Sequence, residues 1–381
     1  MKIIHVCLAC FYIENMEYQE NVLPRKHKEM GHEVYIIASR YTFDNNKHIY
    51  LRDAGSYSNK DGIPVTILDY SKPSLLSRYL QCYKGLYDKI YSIKPDIIFI
   101  HGCQFYGIKE IIKYKKRNPN VRLLADNHAD YINTPIKGFK YFLLNKVIWA
   151  HCVKKTIPFI EKYWGVTPLR VDYLMNVYKI PENKVDLLIM GGDESFIHTE
   201  QKSAIRKEFC ESLSIPQDSF VIVTGGKIDK KKNIHLLIRE FEKVHITNQY
   251  LVIFGSIPND LKPLLETNDK NIIFVGWKNP KEIYNMFVSF DLGFFPGTHS
   301  VLWEQACASG LPCVFNKYDG MEHVNFNGNC LLINGDSCEE LNKALKTIIN
   351  NDGYIYNEMK KNAILASPHF QYHYIAIKSI E

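Results

Sequence analysis

Two stretches in the second half of the chain place side chains in patterns that could do chemistry. After the apolar run FVIVTGG comes Lys227-Ile228-Asp229-Lys230-Lys231-Lys232-Asn233. Gly225 and Gly226 let a backbone approach a ligand closely, the ammonium groups supply charge, and Asn233 can cap a following helix. A diphosphate is the natural guest of such a loop; the same residues could equally form a solvated lysine turn. The second stretch is PGTHSVLWEQACASGLP, residues 296–312. Thr298 or Ser300 can cap a helix beginning near Val301, and Gly310 and Pro312 end it. The free amides at its start would make a further anion site. Glu304 is the only acidic residue of this otherwise apolar or small-residue helix, one turn from its start. A buried carboxylate needs a partner, and a ribose diol would serve, since one carboxylate accepts from two hydroxyls. Alternatively, Glu304 is a structural residue favoured by the helix dipole.

Several other chemistries lack their residues. No GxGxxG follows a strand and no GxxxxGK[ST] occurs, which speaks against nicotinamide or flavin enzymes and P-loop NTPases. No Asp-x-Asp pair is present to clasp a metal-diphosphate. Cys7 and Cys10 form a lone CxxC in a core strand with no second pair, a poor metal or redox site. The net charge of +6 is too weak to indicate nucleic acid, though it suits anionic ligands or an anionic membrane face.

These loops need a scaffold that presents strand ends. Short β-branched runs alternate with longer helical patterns, the signature of βαβ units and parallel sheets. The first series is 2–9, 32–39, 64–69, 96–102 and 121–128; the second is 219–226, 250–256, 271–277, 291–297 and 311–316. A helix-like stretch at 18–30 contains Pro24 and closes at Gly31. At 381 residues with 46% hydrophobic side chains, the chain suits two ordinary domains and excludes wholesale disorder. The expected fold is α/β, two doubly wound Rossmann-like domains facing a cleft. The expected division is 1–195, 196–365 and an aromatic terminal helix over 366–381 packing back on the N-terminal domain, with a hinge near 195–200. No apolar run is long enough to span a bilayer, and the ten scattered cysteines read as reduced thiols, so a cytoplasmic place is expected.

The second half resembles the donor domain of the family-4 retaining glycosyltransferases, which have the GT-B architecture. The similarity runs from GHEV at 31–34 to the final helix and is densest over 219–334. It implies that Lys227 and Lys232, after Gly226, hold the diphosphate of a nucleotide sugar. IIFVGW matches the strand that borders the nucleobase, here Gly276 and Trp277, and EQACASGLPCV matches the signature whose Glu, here Glu304, grips the ribose. DIIFIHG and ADNHAD resemble the family's N-terminal strands, which makes His128 the strand-end histidine beside the transferred sugar and Asp130 a second candidate in that loop. GGDESF resembles the family's interdomain stretch. Two positions depart from the pattern. Pro296 stands where the family has a Glu contacting sugar hydroxyls, leaving His299 as the replacement, and the residues from Tyr12 to Tyr18 stand where a Gly-Gly phosphate loop is usual.

The resemblance implies metal-independent transfer with retention from a nucleotide diphosphate sugar, UDP favoured, to a saccharide or lipid-linked acceptor. Lys227, Lys232 and the helix start at Ser300 and Val301 would stabilise the leaving diphosphate without any metal or cofactor. Closure of the two domains would exclude water. Basic residues interleave with aromatic ones in 108–117 and in 135–149, beside Phe139, Tyr141, Phe142 and Trp149. That pattern suits peripheral contact with an anionic membrane on its cytoplasmic face, although two ordinary amphipathic helices would read the same. A nucleotide-sugar epimerase of the same fold, and a catalytically silent nucleotide-sugar-binding homologue, are the alternative readings.

Overall fold

In the computed structural model, which describes residues 1–14, 16–43, 48–71, 78–131, 134, 138, 142–244, 248–350 and 353–381, every one of the ten apolar runs is a strand. The N-terminal series is β1 (Lys2–Cys7), β2 (Glu33–Ala38), β3 (Tyr41–Phe43), β4 (Ile49–Leu51), β5 (Gly55–Ser58), β6 (Pro64–Ile67), β7 (Ile97–His101), β8 (Arg122–Asn127), β9 (Lys162–Gly165) and β10 (Val185–Leu187). Eight of these form one sheet in the order β10-β9-β8-β7-β1-β2-β6-β5, parallel except for the β5–β6 pair, while β3 and β4 form a separate antiparallel pair. The C-terminal series is β11 (Phe220–Gly225), β12 (Gln249–Phe254), β13 (Ile272–Gly276), β14 (Leu292–Phe295), β15 (Cys313–Asn316) and β16 (Cys330–Ile333). It makes a wholly parallel sheet ordered β13-β12-β11-β14-β15-β16.

Both orders reverse once, between β1 and β7 in the first sheet and between β11 and β14 in the second. At such a switch point the loops leave in opposite directions and open a crevice beyond the strand ends. The pairing of β11 with β14 is brief, Ile222 with Leu292 and Val223 with Gly293. The buried runs Ile97–Ile100 and Val221–Val223 show why continuous apolar strands are required: helices cover both faces of each sheet.

The covering helices follow their expected patterns with local differences. Gln19–Glu29 holds Pro24 in its interior rather than in its first turn, and Gly31 follows with a φ of 85°. The helix Pro280–Ser289 begins with a complete capping box between Asn279 and Glu282, with Pro280 in its first turn. Strands β9, β10 and β16 are only three or four residues long and gave no periodic signal in the sequence.

The chain divides into two compact units, Met1–Ile189 with Ala376–Glu381, and Met190–Ile375. Of the terminal helix Tyr372–Ile380, the residues grouped with the first unit are those from Ala376 onward. There Trp164 Nε1 donates to Ser379 O at 3.2 Å, and Arg122 donates to the carbonyls of Ile380 and Glu381. All ten cysteines are unpaired, and no helix among the described residues is long and apolar enough to cross a membrane.

Candidate active site

The two loops that flank the β11/β14 switch point are the two singled out by residue type. Gly225 ends β11 and Gly226 follows it, with φ values of 155° and 115°, and a Cβ on Gly226 would lie 2.7 Å from Leu302 Cδ1. Backbone therefore passes close beneath the start of the helix Leu302–Ala308, where a side chain would not fit. Gly297, after β14, is packed more tightly still: a Cβ there would lie 2.2 Å from Lys232 Cα. The loops are thus locked against each other. Lys232 Nζ donates to Thr298 O at 2.6 Å and to His299 O at 3.4 Å, and Thr298 N donates to Lys231 O at 3.0 Å. Burial lowers the Lys232 ammonium below its ordinary range, against the raising influence of Asp229. Thr224, Gly225, Lys232, Gly297, Thr298 and Ser300 line a small cavity at this point.

Two capping expectations are corrected. Neither Thr298 nor Ser300 caps the helix; Val301 is its N-cap residue, without a side-chain bond, and Ser300 instead accepts from Trp303 N through its carbonyl. Asn233, at φ 56°, does not cap the helix Ile234–Val244 with its side chain. Its amide donates to Pro296 O, Gly335 O and Asp336 Oδ1, which ties the lysine loop to the residue that follows β14.

Glu304 is fully buried, and its Oε1 accepts from His299 Nε2 at 2.7 Å and His323 Nε2 at 2.9 Å. Burial alone would raise this carboxyl, but the two imidazoles hold it down to about 2. Its other oxygen, Oε2, is buried with no hydrogen-bond partner among the described residues. An ionised oxygen in that condition is suited to a hydroxyl donor. His323, on the short turn Glu322–Val324, was not found in the sequence; it lies 19 positions from Glu304 and belongs to no pattern with it. His299 is further held by its backbone N–H, which donates to Tyr318 Oη at 2.7 Å, and by an edge contact with Trp303.

His299, Glu304 and His323 are also the group of described residues that could hold a metal ion, their ligand atoms lying within 4.8 Å of one another. The N···O distances are those of charge-assisted hydrogen bonds. His323 Nδ1 has no hydrogen-bond partner among the described residues, whereas a ligating imidazole normally donates its other N–H to an orienting group.

Gly276 and Trp277 lie at the end of β13. Gly255 N donates to Gly276 O at 2.7 Å, and Gly226 N to Phe254 O at 3.1 Å, so the three strand ends run side by side. Trp277 is 64% exposed and Lys227 is exposed. Gly226, Lys232, His299, Ser300, Val301 and Glu304 are brought together; Lys227, Gly276 and Trp277 share the same sheet edge.

In the first unit, an open cavity of about 600 Å³ lies at the β1/β7 switch point. Its lining includes Phe11, His101, Gln104, His128, Asn145 and Trp149. His128 follows β8, with Nε2 3.6 Å from Asp126 Oδ2. Asp130 is buried and accepts from Arg170 Nε at 3.1 Å, a pairing that fits it to hold its loop. Asp126 was missed, although the argument applied to Glu304 covers it: a carboxylate inside the buried strand RLLADN needs a partner. That partner is His101, directly opposite in the β7–β8 register, whose Nδ1 donates to Asp126 Oδ2 at 2.6 Å. Burial would raise Asp126, but His101 and His128 bring it well below the carboxylate range. Burial would lower His101, yet the charge of Asp126 raises it to about 9.

Of the basic–aromatic stretches, the helix Ile108–Arg117 buries Ile108, Ile111, Ile112 and Tyr114 and leaves Lys109, Lys113 and Lys116 exposed. Phe139 and Tyr141 lie outside the described residues. Phe142, Leu143 and Val147 are exposed, whereas Trp149 is buried in the core and is not available to a lipid surface.

Comparison with known proteins agrees with this geometry. Residues 205–366 match the family Glycosyl transferases group 1. An uncharacterized glycosyltransferase, MJ1607 of Methanocaldococcus jannaschii, is 22% identical over 355 residues, covering 87% of this chain and 85% of that protein. Among solved structures, a glycosyltransferase from Rickettsia africae superposes with a TM-score of 0.70 at 15% identity, over 100% of this chain and 96% of that one. Anabaena Alr3699/HepE in complex with UDP gives 0.69 at 14% identity, over 99% and 98%. The fold is therefore GT-B, with two Rossmann-like domains, and the second unit carries a glycosyltransferase group 1 domain.

Proposed function

We propose that this GT-B glycosyltransferase moves a sugar from a nucleotide diphosphate sugar to a saccharide or lipid-linked saccharide, with retention and without a metal ion. The observation that carries the reading is Glu304 Oε2: a buried oxygen of an ionised carboxylate at the switch point, without a hydrogen-bond partner among the described residues and next to the loop that Lys232 holds in place. Glu304 accepts the ribose hydroxyls, with His299 and His323 fixing its charge and orientation. Lys227, Lys232 and the backbone amides of 298–301 receive the diphosphate. Gly276 and Trp277 border the base. UDP is the favoured nucleotide, supported by the UDP bound to the structural neighbour HepE.

In the reaction, the bond from the anomeric carbon to the diphosphate oxygen breaks and its electron pair stays on the leaving group. The acceptor oxygen bonds the same carbon on the same face and passes its proton to a leaving phosphate oxygen. Preorganised cations and amides lower the barrier where that charge develops, each typically by a few kcal/mol. His128 presents its ring to the acceptor cavity and positions the sugar, while Asp126 orients His128. The Phe11 ring and the Gln104 and Asn145 amides that line that cavity suit a saccharide.

Incubation with a panel of nucleotide sugars and candidate acceptors, with and without chelator, tests this. Donor-dependent glycosylation with retained anomeric configuration, undiminished by chelator, is expected. An isomerised donor would indicate an epimerase, and binding without turnover a silent homologue. Inactivation by chelator would instead give His299, Glu304 and His323 a metal.

Exposed Lys109, Lys113 and Lys116, and the exposed apolar Phe142, Leu143 and Val147, support peripheral contact with an anionic membrane surface. Flotation with liposomes containing anionic lipid is expected, and flotation independent of that lipid would refute the contact.

A further inference from the structure

A line of imidazoles leads away from Asp126 through the core of the first unit. His101 Nε2 lies 3.0 Å from His5 Nδ1, His5 Nε2 lies 3.0 Å from His27 Nδ1, and His27 Nε2 lies 3.1 Å from Ala376 O and 3.0 Å from Ser379 Oγ. His5, His27 and His101 are all buried. Ring centroids 5.3 and 5.1 Å apart, with interplanar angles of 20° and 27°, put neighbouring rings edge to edge, as N–H···N bonds require.

The protons on this line can be counted. One end is the Asp126 carboxylate, which accepts from His101 Nδ1. The other end is also an acceptor: Ala376 O has no proton, and Ser379 Oγ gives its own to Ala376 O at 2.8 Å. Asp126–His101, His101–His5, His5–His27 and His27–Ala376 are four hydrogen bonds, each needing one ring N–H. Three neutral imidazoles carry three. With a single N–H on each ring, one contact would set two lone pairs face to face in a dry core.

We propose that this line holds one proton more than three neutral imidazoles, seated on His101, and that the resulting buried imidazolium is a positioning residue that keeps Asp126 ionised and oriented toward His128. His5 and His27 are then neutral and protonated on Nε2. The count itself is independent of the transferase reading; the positioning role rests on it, through His128. The surroundings agree. His5 and His27 are both lowered first by burial, His27 to about 4, while His101 alone is raised. Among the described residues, the titratable groups facing the line include Glu20 and Cys7 near His101, His32 near His27, and His128, Cys10 and Cys103 near Asp126. Asp126, held ionised by His101 and His128, supplies the negative charge on that side, whereas burial raises the Glu20 carboxyl.

The test uses the full chain labelled with 15N-histidine. Two-bond 1H–15N spectra between pH 6 and 8 are assigned with His5→Gln and His27→Gln. His101 is expected with protons on both ring nitrogens, and His5 and His27 as Nε2–H tautomers; a neutral His101 at pH 7 overturns the proposal. A glutamine supplies one donor and one acceptor, as a neutral imidazole does, but cannot donate in two opposite directions. Hence His27→Gln should recover the turnover lost in His27→Ala. His101→Gln should lower kcat by ~10-fold or more at unchanged donor KM, the usual size for losing a group that orients a functional side chain. Unchanged kcat in His101→Gln with a doubly protonated His101 in the parent would remove the positioning role. Failure of every sugar panel would remove the transferase reading and leave the proton count standing.

Discussion

Lys232 does two things: its ammonium bridges to Thr298 O and His299 O, and it brings positive charge to the switch point. Replacing it by alanine removes both, so Lys232→Ala should reduce kcat/KM by ~10²-fold or more, the range for losing one preorganised donor. Steady-state kinetics with a UDP-sugar reads this directly, and an effect under threefold would argue for a lysine that only holds its loop. Glu304→Gln keeps the volume but removes the charge that two imidazoles share. UDP affinity should fall by ~10-fold, about 1.4 kcal/mol, when a charged acceptor of ribose hydroxyls is lost. Calorimetric titration measures it, and unaltered affinity would return Glu304 to a purely structural role. At this scale the sequence was informative where a residue stood out locally, as Glu304 did in an apolar helix. It was silent on His323, because the partner of a buried carboxylate is chosen by tertiary approach and not by spacing.

The strands were legible because a parallel strand buried on both faces must be a continuous β-branched run, as Ile97–Ile100 and Val221–Val223 are. The short strands β9, β10 and β16 were not, since three or four residues cannot establish a period. Helix starts divided the same way. Asn279-Pro280 with Glu282 is a local signal, and the capping box forms. Thr298 and Ser300 carry the same residue types, but the packing of Gly297 on Lys232 fixes their loop first, and no cap results. Asn279→Ala should therefore destabilise the second unit by about 1 kcal/mol, the usual value of a lost N-cap. Urea unfolding checks this; a change below 0.3 kcal/mol would mean that tertiary contacts alone hold that helix end.

For the molecule as a whole, the two domains, their parallel sheets and the placing of each candidate loop at a switch point follow from the alternation of strand and helix. The histidine line could not be read beforehand, because it joins β1, β7, the helix Gln19–Glu29 and the chain's last residues through the core. It has a consequence for stability. His101, raised to about 9, stabilises the fold fully below its ordinary value of 6.5 and loses that contribution as pH rises through about 9. His27, lowered to about 4, contributes above 6.5 and loses its contribution as pH falls through about 4. Asp126→Asn removes the partner of His101, so the Tm difference between wild type and variant should be full at and below pH 6.5 and shrink as pH rises through about 9. Calorimetry over pH 5–10 reads that difference, and a constant gap would contradict the charge on His101.

The most direct measurement is a crystal structure of the protein with UDP. The diphosphate should lie between the lysine loop after β11 and the 297–301 loop after β14, with the ribose hydroxyls on Glu304 Oε2. Nucleotide bound elsewhere in the chain, or a ribose turned away from Glu304, would contradict the account.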